Sequence, residues 1–143
     1  MENIALPNGI GMGQLGSSRN TKCELAVRSW LRSFGFRVYA NRRGLPGSPD
    51  AVVYPLRLCV FADGDFWHRP ERMAAMHKPH HKINWTLKGK RGKRREYRSN
   101  KRLRELGWRV VRVWGSSISK YPEKTKSRLF GLLYTDFSRT IRL

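Results

Sequence analysis

"DAVVYPLRLCVFAD", residues 50–63, contains two strand-like runs in close succession, and these decide the fold class. The runs DAVVY and RLCVFA are separated by Pro55 and Leu56, a pattern that predicts a β-hairpin. Asp50 opens the first run and Asp63 follows the second. If the two strands pair, both carboxylates come together at one edge of a sheet.

Helical and strand patterns flank this hairpin on both sides. Apolar residues recur at helical spacing between Thr21, a suitable N-cap, and Gly35, a suitable stop. The remaining predicted elements are a strand at 36–40, a charged helix at 93–106, a strand at 108–114 and a helix at 122–134. The order α-β-β-β-α-β-α predicts an α/β fold with a mixed central sheet flanked by helices.

The domain boundaries follow from composition. Residues 1–20 are rich in Gly, Asn and Ser, which predicts a flexible N-terminal arm before a single domain at 21–143. Residues 64–92 show no clean period and are predicted to form a long excursion, a feature that is often functional in compact domains.

The charge balance indicates a polyanionic partner. Thirty Lys and Arg face ten Asp and Glu, for a net charge of +20, which favours nucleic acid. Membrane binding would require a basic amphipathic helix with a continuous apolar face, and the sequence offers none. Cys23 and Cys59 form no CxxC pair, which argues against a disulfide framework or a thiolate zinc site and favours the cytoplasm.

The acids of the hairpin are suited to metal-dependent phosphodiester hydrolysis. Magnesium prefers oxygen ligands, so Asp50, Asp63 and a backbone carbonyl near Ala62 would be enough, with His68 as general base or acid. Glu24 would add a carboxylate from the first helix. Each residue also has an ordinary interpretation, because Thr21-x-x-Glu24 is a capping box and the aspartates lie in good turn sequences.

Three motifs favour the catalytic interpretation of these residues over the ordinary one. "LPGSPDAVV", "VFADGDFWH" and "RLRELGWRVVRVW", in that order, resemble the very-short-patch repair (Vsr) endonucleases of the PD-(D/E)XK nuclease group. The similarity covers roughly residues 19–117. It implies a restriction-endonuclease-like, Vsr-type core that nicks the strand beside a T:G mismatch with magnesium and wedges aromatic side chains into the duplex.

The resemblance also implies roles for individual residues. By position, the metal-binding aspartate is Asp50, the residue that gives a ligand carbonyl is Ala62, the catalytic histidine is His68, the supporting glutamate is Glu24, and the intercalating aromatics are Phe66, Trp67 and Trp85.

Departures from the family pattern concern its structural zinc and one histidine. The zinc positions here include Asp65, Arg69 and Ser116, so no such zinc is expected. Asp63 stands where family members carry a histidine, which places a second carboxylate near the metal. An acid of the family's basic helix appears here as Glu96.

The basic segment "KGKRGKRREYRSNKRLRE", residues 88–105, is the candidate for DNA binding. A solvated helix face is the alternative, but so unbalanced a face would repel itself without a polyanion. Phosphate contacts would position the protein and make its binding depend steeply on salt. The candidate residues are Lys88, Lys90, Arg91, Lys93, Arg94 and Arg95.

The sequence thus predicts a magnesium-dependent DNA endonuclease that acts as a monomer on double-stranded DNA in the cytoplasm. The nearest alternative is a site-specific homing or restriction-type endonuclease with the same core. An alternative of another class is a non-catalytic DNA-binding protein. A ribosomal-type RNA binder is disfavoured, because acids that repel phosphate would serve it no purpose.

Overall fold

A computed structural model describes residues 21–64 and 85–143, with side-chain environments from Lys90 onward in the second range. Within these ranges the strands are β1 (Tyr39–Ala40), β2 (Ala51–Val53), β3 (Leu58–Asp63), β4 (Arg109–Trp114) and β5 (Ile141–Arg142). The helices are α1 (Lys22–Ser33), α2 (Trp85–Glu105), α3 (Gly115–Lys120) and α4 (Pro122–Leu132).

The strands form one mixed sheet in the order β1-β2-β3-β4-β5. β1, β2 and β3 pair antiparallel, whereas β3, β4 and β5 pair parallel. The predicted hairpin is confirmed as β2 and β3, joined by a 3-10 turn at Tyr54–Leu56 and a left-handed Arg57 with φ 46°. The predicted α/β class with a mixed sheet is therefore confirmed.

Alternating strand residues divide the core into two layers, because successive side chains point to opposite faces of a sheet. On one face, Val60 and Val111 lie in a cluster with Val27 and Leu31 of α1. On the other face, the strand residues Val52, Cys59, Phe61 and Val110 cluster with Leu103 of α2. Helix α2 is thereby anchored by its C-terminal half beside the end of β3.

The structure corrects several predicted boundaries. Helix α2 begins at Trp85 rather than at residue 93, since its early turns tolerate Gly89 and Gly92, which had suggested irregular chain. The predicted strand at 36–40 is reduced to Tyr39–Ala40. Helix α3 and strand β5 were not predicted, because both are short and β5 depends on pairing with β4.

Within the two described ranges, no helix is both long enough and apolar enough to cross a bilayer.

Candidate active site

A cleft of about 850 Å³ lies where β2 begins and β3 ends, and both α1 and α2 contribute to its walls. Its lining includes carboxylates from three elements: Glu24 on α1, Asp50 before β2 and Asp63 at the end of β3. Arginines also line it, among them Arg43 from the loop before β2 and Arg95 from α2. Acidic ligands for a cation and basic groups for a phosphate therefore share one cavity.

The hairpin places Asp50 directly beside Ala62. Ala51 pairs with Val60, so Asp50 lies just beyond the paired part of β2. The N–H of Ala62 donates a hydrogen bond of 2.8 Å to Oδ2 of Asp50. Because the N–H and C=O of one strand residue point to the same side of the strand, the Ala62 carbonyl is directed toward the Asp50 side as well.

The carboxyl group of Asp50 has a strongly shifted pKa. Burial raises this pKa from 3.8 to about 7, against the hydrogen bond from Ala62. The charges of Glu24 and Asp63 raise it further, and the charge of Arg28 lowers it. Among the side chains of residues 21–64 and 90–143, no basic group forms an ion pair with this carboxylate. In the described parts of the structure, the negative charge that Asp50 carries when ionised is therefore not offset by an ion pair.

Glu24 lies in the first turn of α1 and lines the cleft. Oγ1 of Thr21 accepts a 3.3 Å hydrogen bond from the Glu24 N–H, so the predicted N-cap of α1 is confirmed. The Glu24 carboxylate lines the cleft and pairs with Arg28 at 3.7 Å. Arg28 is only 2% exposed, and its Nη1 also donates to the Asp50 carbonyl at 3.2 Å. Arg28 therefore links Glu24 to the backbone of Asp50.

Asp63 lies at the centre of a buried ion network. Nη1 of Arg112 donates to both Asp63 oxygens, at 2.8 and 3.0 Å, and Nη1 of Arg142 donates to Oδ2 at 3.0 Å. Arg142 also bonds Glu96 of α2, and Nε of Arg112 donates to Asn100 at 2.9 Å. The network therefore joins the end of β3 to β4, β5 and α2.

Sequence reasoning missed Arg28, Arg112 and Arg142. Two of them carried a detectable signal. Arg28 follows Glu24 by one helical turn, the spacing of an intrahelical ion pair, and Arg112 interrupts the apolar strand β4. Arg142 carried none, because its partners come from β3 and α2, far away in the chain.

Several predicted residues fall outside the described parts of the structure. Phe66, Trp67 and His68 lie in the undescribed range 65–84. Trp85 and Lys88 belong to the backbone of α2, but their side chains are not described. The wedging and acid–base roles of these residues stay predictions.

The other cations predicted to bind DNA are exposed on α2, as a phosphate-binding surface requires. Arg95 lines the cleft, and so does Arg98, which the sequence analysis did not single out. The basic surface therefore reaches the acids of the cleft. The exposed residues predicted for DNA binding are Lys90, Arg91, Lys93, Arg94 and Arg95.

No group of three or more His, Cys, Asp or Glu side chains in residues 21–64 and 85–143 is arranged to hold a metal ion. A zinc-type cage of protein ligands is therefore not formed by these two ranges alone. Magnesium is less demanding, since one or two carboxylates and several waters suffice for it. Asp50 with the Ala62 carbonyl meets this requirement.

Comparison with known proteins identifies the family of the chain. The profile of the family described as DNA mismatch endonuclease Vsr matches residues 11–74. The chain is 38% identical over 104 residues to the Type II nicking enzyme V.XorIIP of Xanthomonas oryzae, covering 71% of this chain and 75% of that protein.

Two further relatives extend the match. The Type II nicking enzyme V.HpaIIP of Haemophilus parainfluenzae is 31% identical over 121 residues, or 82% of this chain and 86% of the relative. The DNA mismatch endonuclease Vsr of Escherichia coli is 34% identical over 98 residues, or 68% of this chain and 63% of the relative. The chain therefore belongs to the Vsr family of DNA mismatch endonucleases, and it is a DNA endonuclease.

Proposed function

We propose that this endonuclease uses magnesium to nick one strand of double-stranded DNA at a T:G mismatch or a similarly distorted site. The observation that carries the proposal is the Asp50 carboxylate, which lies beside Ala62 in a cleft that is also lined by arginines. The relatives of the chain include proteins named as nicking enzymes and one named as a mismatch endonuclease. We further propose that it acts as a monomer on chromosomal DNA in the cytoplasm.

Asp50 and the Ala62 carbonyl are the proposed protein ligands of the metal. Oδ2 of Asp50 accepts the Ala62 N–H, and no hydrogen bond from the described residues reaches its Oδ1. A carboxylate that no described basic side chain pairs with, beside an oriented carbonyl, matches the oxygen preference of magnesium. When bound there, the metal would supply polarisation of the phosphate and activation of water.

Asp63 is the weaker candidate for a third ligand. Both of its oxygens accept hydrogen bonds from Arg112, and Oδ2 also accepts one from Arg142. To coordinate the metal directly, Asp63 would have to give up a hydrogen bond to Arg112 or Arg142. We therefore propose that Asp63 mainly fixes the end of β3, and with it the carbonyl of Ala62.

Glu24 and His68 are the proposed groups for proton transfer and water positioning. Glu24 lines the cleft from the first turn of α1, and Arg28 restrains its carboxylate. From there it would orient a water molecule or the imidazole of His68. His68 would act as general base or acid, a role that its place shortly after β3 in the sequence supports.

The DNA would be held by two kinds of side chain. The exposed cations of α2 would follow the phosphate backbone, which gives affinity without base specificity. Phe66, Trp67 and Trp85 would wedge into the duplex. Such unstacking costs least where pairing is already weak, and this supports a preference for mismatches.

A nicking assay tests the proposal. End-labelled duplexes, fully matched or with one T:G pair, would be incubated with the wild type or Asp50→Asn, in magnesium or in EDTA. We expect one strand of the T:G duplex to be cut in magnesium by the wild type alone. Asp136→Asn is a matched control, because Asp136 is an exposed aspartate that does not line the cleft.

Other outcomes would change the proposal in defined ways. Equal cutting of matched and mismatched duplexes would refute mismatch preference and favour a site-specific enzyme of restriction type. Cutting by Asp50→Asn at the wild-type rate would refute the metal site. Retention of DNA binding by the inactive variant, measured by fluorescence anisotropy, would separate loss of chemistry from loss of folding.

A further inference from the structure

The loop between β1 and β2, residues 41–50, contributes a second basic wall to the cleft. Arg43 in this loop lines the same cavity as Asp50 and the α2 residues Arg95 and Arg98. The cleft therefore receives arginines from three elements: this loop, α2 and, through Arg112, β4. The predicted DNA-binding residues account for only one of these elements.

The loop is held in one shape by its backbone. Asn41 and Ser48 have left-handed φ values of 49° and 51°. The N–H of Asn41 donates to the Asp50 carbonyl at 3.4 Å, and the N–H of Ser48 donates to the Leu45 carbonyl at 3.0 Å. The first bond ties the start of the loop to Asp50, the proposed metal ligand at its end, and the second forms a turn within the loop.

Close contact with α2 fixes the loop further. A Cβ added to Gly47 would lie 2.9 Å from Cβ of Ser99 and 3.3 Å from the Phe61 ring. Only a glycine lets the two backbones approach this closely, and its φ of 76° also favours glycine. Arg43 therefore extends from a rigid base whose position relative to both Asp50 and α2 is defined.

The two neighbouring arginines of the loop have different surroundings. The guanidinium of Arg42 lies over the Tyr39 ring at 4.5 Å and near the Tyr54 ring at 5.9 Å. Arg43 is exposed, and no carboxylate of the described residues forms an ion pair with it. Among the described residues its charge therefore has no carboxylate partner in the cleft, which favours binding of an external anion.

We propose that Arg43 binds a backbone phosphate of the DNA strand that enters the cleft. A guanidinium can bind a phosphate with two parallel hydrogen bonds, and its rigid base would keep the entropic cost low. The strand would then be held from the loop as well as from α2. This inference rests on the proposed function, because it assigns the ligand of the same cleft.

Binding, rather than cleavage, tests the inference. All variants would carry Asp50→Asn, and anisotropy titrations of a labelled duplex in EDTA would run between about 50 and 200 mM salt. We expect Arg43→Ala to weaken binding about tenfold and to reduce the slope of log K against log salt by about 0.9. Arg43→Lys should keep the slope and recover only part of the affinity.

Arg128→Ala is the matched control, because Arg128 is an exposed arginine of α4 that does not line the cleft. It should alter neither affinity nor slope. If Arg43→Ala behaves like Arg128→Ala, the inference is overturned.

Neutral phosphates give a second, position-specific test. Methylphosphonates placed singly along the cut strand should weaken binding at several positions. At one position, the methylphosphonate should weaken binding less in the variant with Arg43→Ala than in the protein that keeps Arg43. The reason is that Arg43→Ala has already removed the contact with that phosphate. Equal losses at every position would refute the contact. Since no cleavage is needed, failure here is distinct from failure of the nicking assay.

Discussion

Asp50→Asn should abolish cleavage and nevertheless stabilise the folded protein at pH 8. Asparagine keeps the size of the side chain and a carbonyl oxygen that can accept the 2.8 Å hydrogen bond from Ala62. It removes only the negative charge, which burial disfavours. Activity and stability should therefore change in opposite directions, as expected when a ligand is kept for function at a cost to the fold.

The pKa of Asp50 sets the magnitude and the sign of the change in folding stability that Asp50→Asn should cause. Its folded-state value of about 7 exceeds the ordinary 3.8, so the folded protein holds the proton more tightly than the unfolded chain does. Stability from this group is complete below pH 4 and is lost as the pH rises to 7. The difference corresponds to at most about 4 kcal/mol. Because water enters the cleft, we expect a gain of about 2 kcal/mol for Asp50→Asn at pH 8.

Thermal unfolding followed by circular dichroism in EDTA measures this gain. At pH 8 the melting temperature should rise by about 6 °C, and the rise should shrink steadily as the pH falls toward 4. Asp136→Asn, on the exposed surface, should show no such pattern. Magnesium at pH 8 should stabilise the wild type and leave Asp50→Asn unchanged, because only the carboxylate binds it.

Two results would refute the reasoning. A gain that is equal at pH 4 and pH 8 would show that the substitution acts through packing and not through the charge of Asp50. Equal stabilisation of both proteins by magnesium would place the bound metal elsewhere.

Three other substitutions or reagents test the structure around the site. Gly47→Ala should lower the free energy of unfolding by about 1–2 kcal/mol more than Gly35→Ala, as measured by urea unfolding. Both glycines have a positive φ, but only Gly47 is crowded by neighbouring side chains. Arg112→Met should destabilise the protein by about 3 kcal/mol in the same assay, since it leaves Asp63 with fewer partners in a buried site. Burial raises the pKa of the Cys59 thiol to about 12, so iodoacetamide at pH 8 should label it only after unfolding, as mass spectrometry would show.

The local part of the site was predictable from the sequence. A run of strand residues, a short turn and a second run define the hairpin, and its register alone brings Asp50 next to Ala62. The cap of α1 was equally local, because Thr21 and Glu24 interact within one turn. In both cases the interacting groups are close in the chain, so pattern and turn chemistry were sufficient.

The rest of the site depends on contacts between distant segments. Strand β5 has only two residues, and it is recognisable only when β4 is in place beside it. Its Arg142 then reaches Asp63 and Glu96, which no local pattern could indicate. The rigid placement of Arg43 likewise required the close approach of Gly47 to α2.

Glu24, Asp50 and Asp63, three of the acids that line the cleft, differ in how the protein balances their charge, and the difference favours Asp50 as the proposed metal ligand. Glu24 is paired with Arg28, and Asp63 with Arg112 and Arg142. Arg28 bonds the backbone carbonyl of Asp50, so in the described residues the carboxylate of Asp50 has a backbone N–H as its hydrogen-bond donor and no ion pair.

The chain has a net charge of +20, yet none of the described basic side chains forms an ion pair with Asp50. In the part of the chain that the structure describes, this leaves a partly buried carboxylate whose charged form is unfavourable without a cation. Glu24 and Asp63 make that charge still less favourable, and this same negative field favours a divalent cation beside Asp50. This arrangement of charges lowers the stability of the protein without a bound cation and favours the binding of a metal ion.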